Sequence, residues 1–491
     1  MRETTARWVT LFLVATTTLM SSLDGSIVAV ALPTMAKNLH ASTAATNWVV
    51  TGYLIAITAV IIIAGRLGDI WGNKRVFRVG VMVFTAASLL CGISVNLPML
   101  IGARVLQALG ASCAMGTSQG IITRAFPPNQ RGRALGLNGT FVALGSMSGP
   151  PLGGVITQLA SWHYIFWINV PIGVAAIALG FVFLREDERR PDEKMDGRGA
   201  LLLTPAIFLL CGAINLMQIP ILASAAAQNL ILAGVCILAV GLLWLYVRHA
   251  LKAPQPLLDV NIFRNPMFSM SILCAFLYFI AINSYGILFP YYLQTQLGLP
   301  ELTAGLCMAA NPVLLGILAP ISGHISDKLG QLPLSLTGLS VAAVGLGLQA
   351  TTGLSTPLAL AVTFACLLAL GGALFNSPNT SLIMSTVPGE QVGVAGSVNA
   401  LVRNLGMTTG TLLATTISFA VMGYLRHGPT RGLTVSKPDP AFIVGMRWAY
   451  GAGSFVCLLG MGLTVLRVRR KRQDNRGKKQ EETGETAAGA E

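Results

Sequence analysis

One acidic residue stands apart. Of the 19 Asp and Glu in the 491-residue chain, only Asp24 sits well inside a long apolar run. A carboxylate at membrane depth is costly as an ion unless it is paired or neutralised. Burial favours its protonated form, so such a group can take up and release a proton. The other reading of Asp24 is structural, a helix cap or a helix–helix hydrogen bond. Arg104, in IGARVLQALG (101–110), is the one basic residue clearly inside a central apolar run. A guanidinium is always charged and needs a partner or water. It can pair with Asp24 and repel its proton, or it can snorkel or bind backbone carbonyls.

Two glycine patterns come next. In GRLGDIWGNKR (65–75), Asp69 lies between Gly65 and Gly72, just ahead of Lys74 and Arg75. Glycines allow a tight turn and close helix approach. Asp69 there can accept backbone N–H groups or basic side chains, or the loop only fixes topology. In GSMSGPPLGG (145–154), Gly145, Gly149, Gly153 and Gly154 recur at intervals near four. That spacing puts a smooth stripe on one helix face, and small residues let helices approach closely. Pro150 and Pro151 remove hydrogen bonds and bend a helix. Such a helix suits rocking between two states, or ordinary membrane packing. Trp48, Tyr53, Gln107, Asn283, Tyr285, Tyr291, Asn311, Asn376 and Asn379 are the polar candidates for an amphipathic cavity near mid-membrane. The scarcity of acids argues against multiply charged cations. The eight cysteines are scattered singly, with no CxxC or Cys/His cluster. We therefore expect no metal site, disulfide framework or cofactor.

These residues need elements to hold them. Charged residues make up 11% of the chain and hydrophobic ones 53%, against about 25% charged in an ordinary soluble protein. A disordered chain would be charge-rich, and a soluble core could not hide this much apolar surface. The surface therefore faces lipid, and the fold is all-α and polytopic. A spanning helix needs ~20 apolar residues. Fourteen segments qualify, near 8–33, 47–66, 76–95, 98–122, 135–158, 164–184, 199–219, 228–248, 267–292, 303–323, 333–352, 357–380, 396–424 and 442–466. The first is too long, and too closely followed by further spans, for a cleaved signal peptide. With cytoplasmic termini, 26 of the 33 Lys and Arg fall inside. This positive-inside bias explains the net charge of +14 without nucleic acid. Arg426, Arg431, Lys437 and Arg447 form the one exception, an outer loop that reads as solvated. The charged tail 467–491 reads as disordered, and Arg467 to Arg472 suit anionic lipid.

The chain also repeats. Gly65, Asp69 and Gly72 match Gly323, Asp327 and Gly330 at an offset of 258. Gln130, Gly132, Ala134, Asn138, Gly145 and Gly149 match Gln391, Gly393, Ala395, Asn399, Gly406 and Gly410 at 261. This maps spans 1–6 onto spans 9–14 in the same orientation, a parallel two-half arrangement. The expected units are 1–184, an inserted pair with its loop in 185–250, a second half in 251–466, and the tail. Aligning Pro33 with Pro290 puts Ala281 opposite Asp24, so the second half offers no buried carboxylate. The match to Asp327 keeps only Lys328 of the basic run, and Thr411 stands where Pro150 is matched.

Taken together, these residues resemble the major facilitator superfamily, specifically its fourteen-helix drug:proton antiporter branch. The loop 65–75 matches the signature between helices 2 and 3, and LDGSIVAVALP (23–33) looks like the branch's helix 1 motif. The stripe at 145–154 resembles the helix 5 motif of antiporters, and Arg104 the basic residue of helix 4. Ser26 and Ala29 depart from the branch's usual Thr and Asn. The resemblance implies a proton-driven exporter of hydrophobic or amphipathic small molecules in the inner membrane. It would work as a monomer by alternating access, with Asp24 and Arg104 in coupling and the 65–75 loop as a cytoplasmic latch. A dedicated lipid, siderophore or metabolite exporter is the alternative on the same scaffold. The five histidines lie outside the spans or at their edges, and no constellation for an enzyme is visible.

Overall fold

A computed structural model describes residues 3–184, 195–216, 224–387, 392–426 and 438–488. Among the described residues it is helical without strands. In lipid, helices satisfy their backbone groups internally, so long apolar runs have little other choice. In chain order the helices are α1 (Glu3–Asn38), α2 (Thr43–Trp71), α3 (Asn73–Gly92), α4 (Leu97–Ala125), α5 (Pro128–Leu159), α6 (Tyr164–Phe183) and α7 (Gly197–Leu216). After them come α8 (Ala225–Ala250), α9 (Pro266–Tyr291), α10 (Glu301–Leu329), α11 (Gln331–Gln349), α12 (Leu358–Ser385), α13 (Val392–Leu425) and α14 (Pro440–Ala488). A π-helical turn, Tyr292–Gln296, extends α9.

Among the described residues, twelve helices are long and apolar enough to cross a membrane, which makes this an integral multi-pass membrane protein. The segments expected at 135–158 and 199–219 fall on α5 and α7. Neither is among the twelve. In α5, glycine, serine and proline dilute the apolar character, and in α7 only the side chains of Gly197–Ala213 form an unbroken described run. Local signals set the helix starts. Asn96 accepts from Met99 N at 2.9 Å ahead of α4, and Asn265 accepts from Met267 N at 3.0 Å ahead of α9. Each is followed by proline in the first turn, where the missing N–H costs nothing.

The packing repeats along the chain. α1 lies along α5 as α9 lies along α13, and α3 crosses α4 as α11 crosses α12. The contact points are equivalent too. A Cβ on Gly145 would run into Leu19 O, and one on Gly406 would lie 2.9 Å from Phe276 O. Gly72 and Gly330 both take positive φ, 96° and 91°, at the turns into α3 and α11. L side chains resist that conformation. Two further contacts, α5 with α10 and α2 with α13, join residues of the first six helices to those of the last six. The pair α7–α8 is peripheral. α7 packs on α2, and α8 packs on α7 with a surface that is mostly exposed. Asp196, at the head of α7, ties this pair down. It accepts from Gly199 N at 2.8 Å, from His249 Nε2 at 2.8 Å and from Leu257 N at 3.3 Å.

The C-terminus departs from expectation. α14 continues as helix to Ala488, through the segment read as disordered. That segment is rich in Lys, Arg, Gln, Glu and Ala, all good helix formers, and it follows directly from a spanning helix that supplies the costly nucleus. Arg467 is not a free basic side chain for lipid. It is fully buried and donates to Ser271 Oγ at 3.0 Å and Asn379 Oδ1 at 3.3 Å. The side chains of Asp327 and of the tail beyond Val468 lie outside the described residues, as do residues 427–437 of the loop before α14. Either side of that loop, Arg426 forms an ion pair with Asp439. Arg447 donates to Thr352 O at 2.8 Å. Both are structural ties where a solvated loop is expected.

Candidate functional site

Five helices converge on Asp24. α1 carries the carboxylate itself, held close to α5 because Gly149 and Gly153 leave room for Ser26 and Ile27. α4 brings Arg104 and, one turn on, Gln107. α6 brings Asn169 and Phe166, α2 brings Val49 and Tyr53, and α3 brings Ser88 and Cys91. Asp24 is 0% exposed and Arg104 1%.

The bonding is dense. Arg104 Nη1 donates to Asp24 Oδ2 at 2.6 Å and to Gln107 Oε1 at 2.6 Å, while Nε donates to Val49 O at 3.1 Å. Gln107 Nε2 donates to Asp24 Oδ1 at 3.0 Å and to Ser88 Oγ at 2.8 Å. Asn169 Nδ2 donates to Asp24 Oδ1 at 2.9 Å. The guanidinium lies 4.0 Å from the Tyr53 ring centre and 5.5 Å from that of Phe166. A buried ion pair is not strongly stabilising in itself, but removing one partner leaves a lone buried charge. The chemistry available is therefore a change of charge on the paired carboxylate. Arg104 balances the carboxylate through Oδ2, and Oδ1, which the guanidinium does not touch, is the oxygen open to a proton.

Gln107 and Tyr53, expected in a substrate cavity, both contact the Asp24–Arg104 pair. Three other amide candidates are engaged between helices. Asn283 on α9 donates to Met407 O at 2.8 Å, Asn311 on α10 to Ala365 O at 3.0 Å, and Asn379 on α12 to Ser271 O at 3.1 Å. The polar atoms Trp48 Nε1 and Tyr285 Oη are buried and unmatched among the described residues. A groove of about 550 Å³, lined by Ile417, Arg447, Trp448, Gly451, Ala452 and Phe455, lies on α13 and α14 and shares no residue with the Asp24 cluster. Trp448 and Phe455 are 63% and 61% exposed there, as suits a lipid-facing surface.

The glycine–acid loop sits at the other end of α2. Asp69 Oδ1 is 3.4 Å from Arg124 Nη2 of α4, and both side chains are partly exposed. Asn73 packs against Gly68 and Gly120, and with its oxygen turned inward accepts from Arg124 Nη1 at 3.2 Å. Lys74 is half-buried and Arg75 exposed at the start of α3. Gly65 faces Gly116 O of α4. In the second copy, Gly323 faces Ser377 of α12.

At the opposite end, hydrogen bonds bind early helices to late ones. Gln294 Nε2 donates to Val30 O at 2.7 Å, and Tyr291 Oη to Asn47 Oδ1 at 3.2 Å. Leu302 N donates to Gln158 Oε1 at 3.2 Å, and Thr34 Oγ1 to Glu301 Oε1 at 3.3 Å. A Cβ on Gly154 would clash with Glu301 O, so α5 and α10 touch backbone to backbone there. That end is closed.

Sequence reasoning missed Asn169, Ser88 and Cys91 in the cluster. Asn169 carried one signal, an amide within an otherwise apolar span, INVPIGVAAIALG (168–180).

Comparison with known proteins agrees with the architecture. The model of the Major Facilitator Superfamily matches residues 14–411 and again 271–489. The chain is 32% identical to the riboflavin transporter RibZ of Clostridioides difficile over 467 residues, 94% of this chain and 98% of that one. It is 30% identical to the tetracenomycin C resistance and export protein of Streptomyces glaucescens, over 82% of this chain and 74% of that one. Against the drug efflux pump JefA of Mycobacterium tuberculosis it is 30% identical, over 82% and 79%. A buried ion pair between helices α1 and α4, a repeated packing pattern and these matches lead to one assignment: the chain belongs to the Major Facilitator Superfamily of membrane transporters.

Proposed function

We propose that this transporter exports hydrophobic or amphipathic small molecules, driven by proton entry through Asp24. The observation that carries the reading is the sealed Asp24–Arg104 pair with its three donors to one carboxylate. Nothing in helix packing requires an ion pair there, and a buried pair is often no more stable than apolar residues of the same volume. A transporter gains from it, because proton and substrate can each bias the same two-state equilibrium. The export proteins among its relatives support the direction of transport.

In this reading the chain crosses the cytoplasmic membrane fourteen times, α5 and α7 included, with both termini inside. Residues 1–184 and 251–466 are the two moving halves, α7 and α8 an insertion, and the monomer the working unit. The end tied by Gln294, Tyr291 and Glu301 faces outward, and the Asp69–Arg124 contact is part of the inner latch. No cofactor is required beyond the proton gradient.

The test uses everted vesicles holding an acid-inside gradient. Adding lipophilic dyes, planar aromatic drugs and riboflavin in turn shows which compound dissipates the gradient. Export predicts dissipation by several unrelated amphipathic compounds. A second reading, a transporter dedicated to one metabolite, is favoured by the match to RibZ along nearly its whole length. It predicts dissipation by a single compound class. Dissipation by none, with transport intact, refutes proton coupling.

A further inference from the structure

We propose that the Asn169 side-chain amide turns over when Asp24 takes up a proton, so that α6 registers the charge of the carboxylate. The inference rests on Asp24 being the proton carrier. Asn169 is 0% exposed and donates through Nδ2 to Asp24 Oδ1 at 2.9 Å. Its own Oδ1 is buried with no hydrogen-bond partner among the described residues. Buried polar atoms without partners are uncommon and call for a reason.

Protonation supplies the reason. An ionised carboxylate only accepts hydrogen bonds, but a carboxylic acid must also donate one. Oδ2 faces the guanidinium, which cannot accept, so the proton belongs on Oδ1. Two amides face that oxygen. Gln107 is locked, since its Oε1 accepts from Arg104 at 2.6 Å and its Nε2 donates to Ser88 Oγ at 2.8 Å. Ser88 in turn donates to Phe84 O at 2.8 Å, so it has no second proton to offer a reversed Gln107. Asn169 has no such ties. Turned over, it presents Oδ1 to the new O–H and places Nδ2 where Oδ1 stood. One bond is kept and one atom stays unmatched in either state.

The surroundings fit a local response. The titratable groups facing Asp24 are Arg104 from α4, Tyr53 from α2 and Cys91 from α3. α6 contributes only Asn169 and Phe166, and α5 carries no titratable side chain between 134 and 159. Asn169 also sits where α6 is interrupted, directly after the turn at Ile168 that separates Tyr164–Trp167 from Asn169–Phe183. The change in bonding therefore acts at a joint in the helix.

Infrared difference spectroscopy of the full chain in lipid tests this. The carboxylic C=O band of Asp24 is identified by its loss in Asp24→Asn. In Asn169→Leu that band shifts to higher wavenumber, because the acid has lost its acceptor. The midpoint of its titration moves by less than about half a pH unit, because both charge states lose one bond. Asn169→Thr, whose hydroxyl both donates and accepts, restores the band. A fixed donor behaves oppositely. Its loss costs only the ionised form a charge-assisted bond and moves the midpoint by about one unit or more, with the band unshifted. An unshifted band overturns the amide inference and leaves Asp24 as proton carrier. Absence of any Asp24 band overturns both.

Discussion

Neutralising one member of the Asp24–Arg104 pair should hurt more than neutralising both. With 0% and 1% exposure, neither charge has access to water. Asp24→Asn leaves a buried guanidinium whose remaining partners are Gln107 Oε1, Val49 O and the Tyr53 and Phe166 rings. Breaking such a pair costs about 3–5 kcal/mol. Unfolding entropy of about 2.1 cal/mol/K per residue gives a chain this long roughly 1 °C per kcal/mol. Asp24→Asn and Arg104→Gln should therefore each lower Tm by about 3–5 °C in detergent. The double variant leaves no lone charge, and its Tm should fall within about 2 °C of the native protein. This coupling is what contacting residues show in a double-mutant cycle. All three variants should lose gradient-driven transport, so stability and activity separate in the double variant. Additive losses, near 6–10 °C for the double variant, would falsify the claim that the two charges hold each other in the buried state.

Other substitutions probe the frame around the pair. Gly149→Val should abolish transport and lower Tm, since its Cβ would collide with Ser26 Oγ and press on Ile27 N; Gly102→Ala, with nothing within 4 Å, is the matched control and should change neither. Gly72→Ala and Gly330→Ala each force a side chain into positive φ, at about 1–2 kcal/mol apiece. They lie in separate turns, so their Tm losses should add in the double variant. Asp196, ahead of α7 and outside the spanning runs, gives a pH test. Burial pushes its carboxyl upward, but the Gly199 and Leu257 N–H groups and His249 outweigh that and hold it below the usual range. A depressed folded value stabilises above the unfolded pKa of about 3.9 and is lost as pH falls through the lower folded value. The Tm gap between native protein and Asp196→Asn should be full at pH 7 and close below about pH 4.

The membrane class and most of the spans were legible because lipid leaves few alternatives to a long apolar helix. The repeat was legible through glycines. Only glycine fits the positive φ at Gly72 and Gly330, or lets Gly145 and Gly406 touch neighbouring backbone. Asp24 and Arg104 stood out because charge is rare at that depth. What stayed hidden were partners set by rotation about the helix axis. Gln107, Tyr53, Asn283 and Asn311 were legible as polar groups in apolar runs. That the first two meet Arg104, and the other two a carbonyl of a neighbouring helix, was not. A polar side chain in an apolar run reveals that it needs a partner, not which one. The same holds for Arg467, which looked like part of a basic tail and lies buried against Ser271 and Asn379.

The most direct measurement compares native protein and Asp24→Asn in proteoliposomes, recording internal pH and the flux of a lipophilic dye together. For the native protein, proton and dye movements in opposite directions should occur together, and an imposed gradient should drive dye uphill. Asp24→Asn should move no protons and drive no accumulation, while still exchanging dye down its own gradient. Uphill, gradient-driven dye transport by Asp24→Asn would contradict the central role given to this carboxylate.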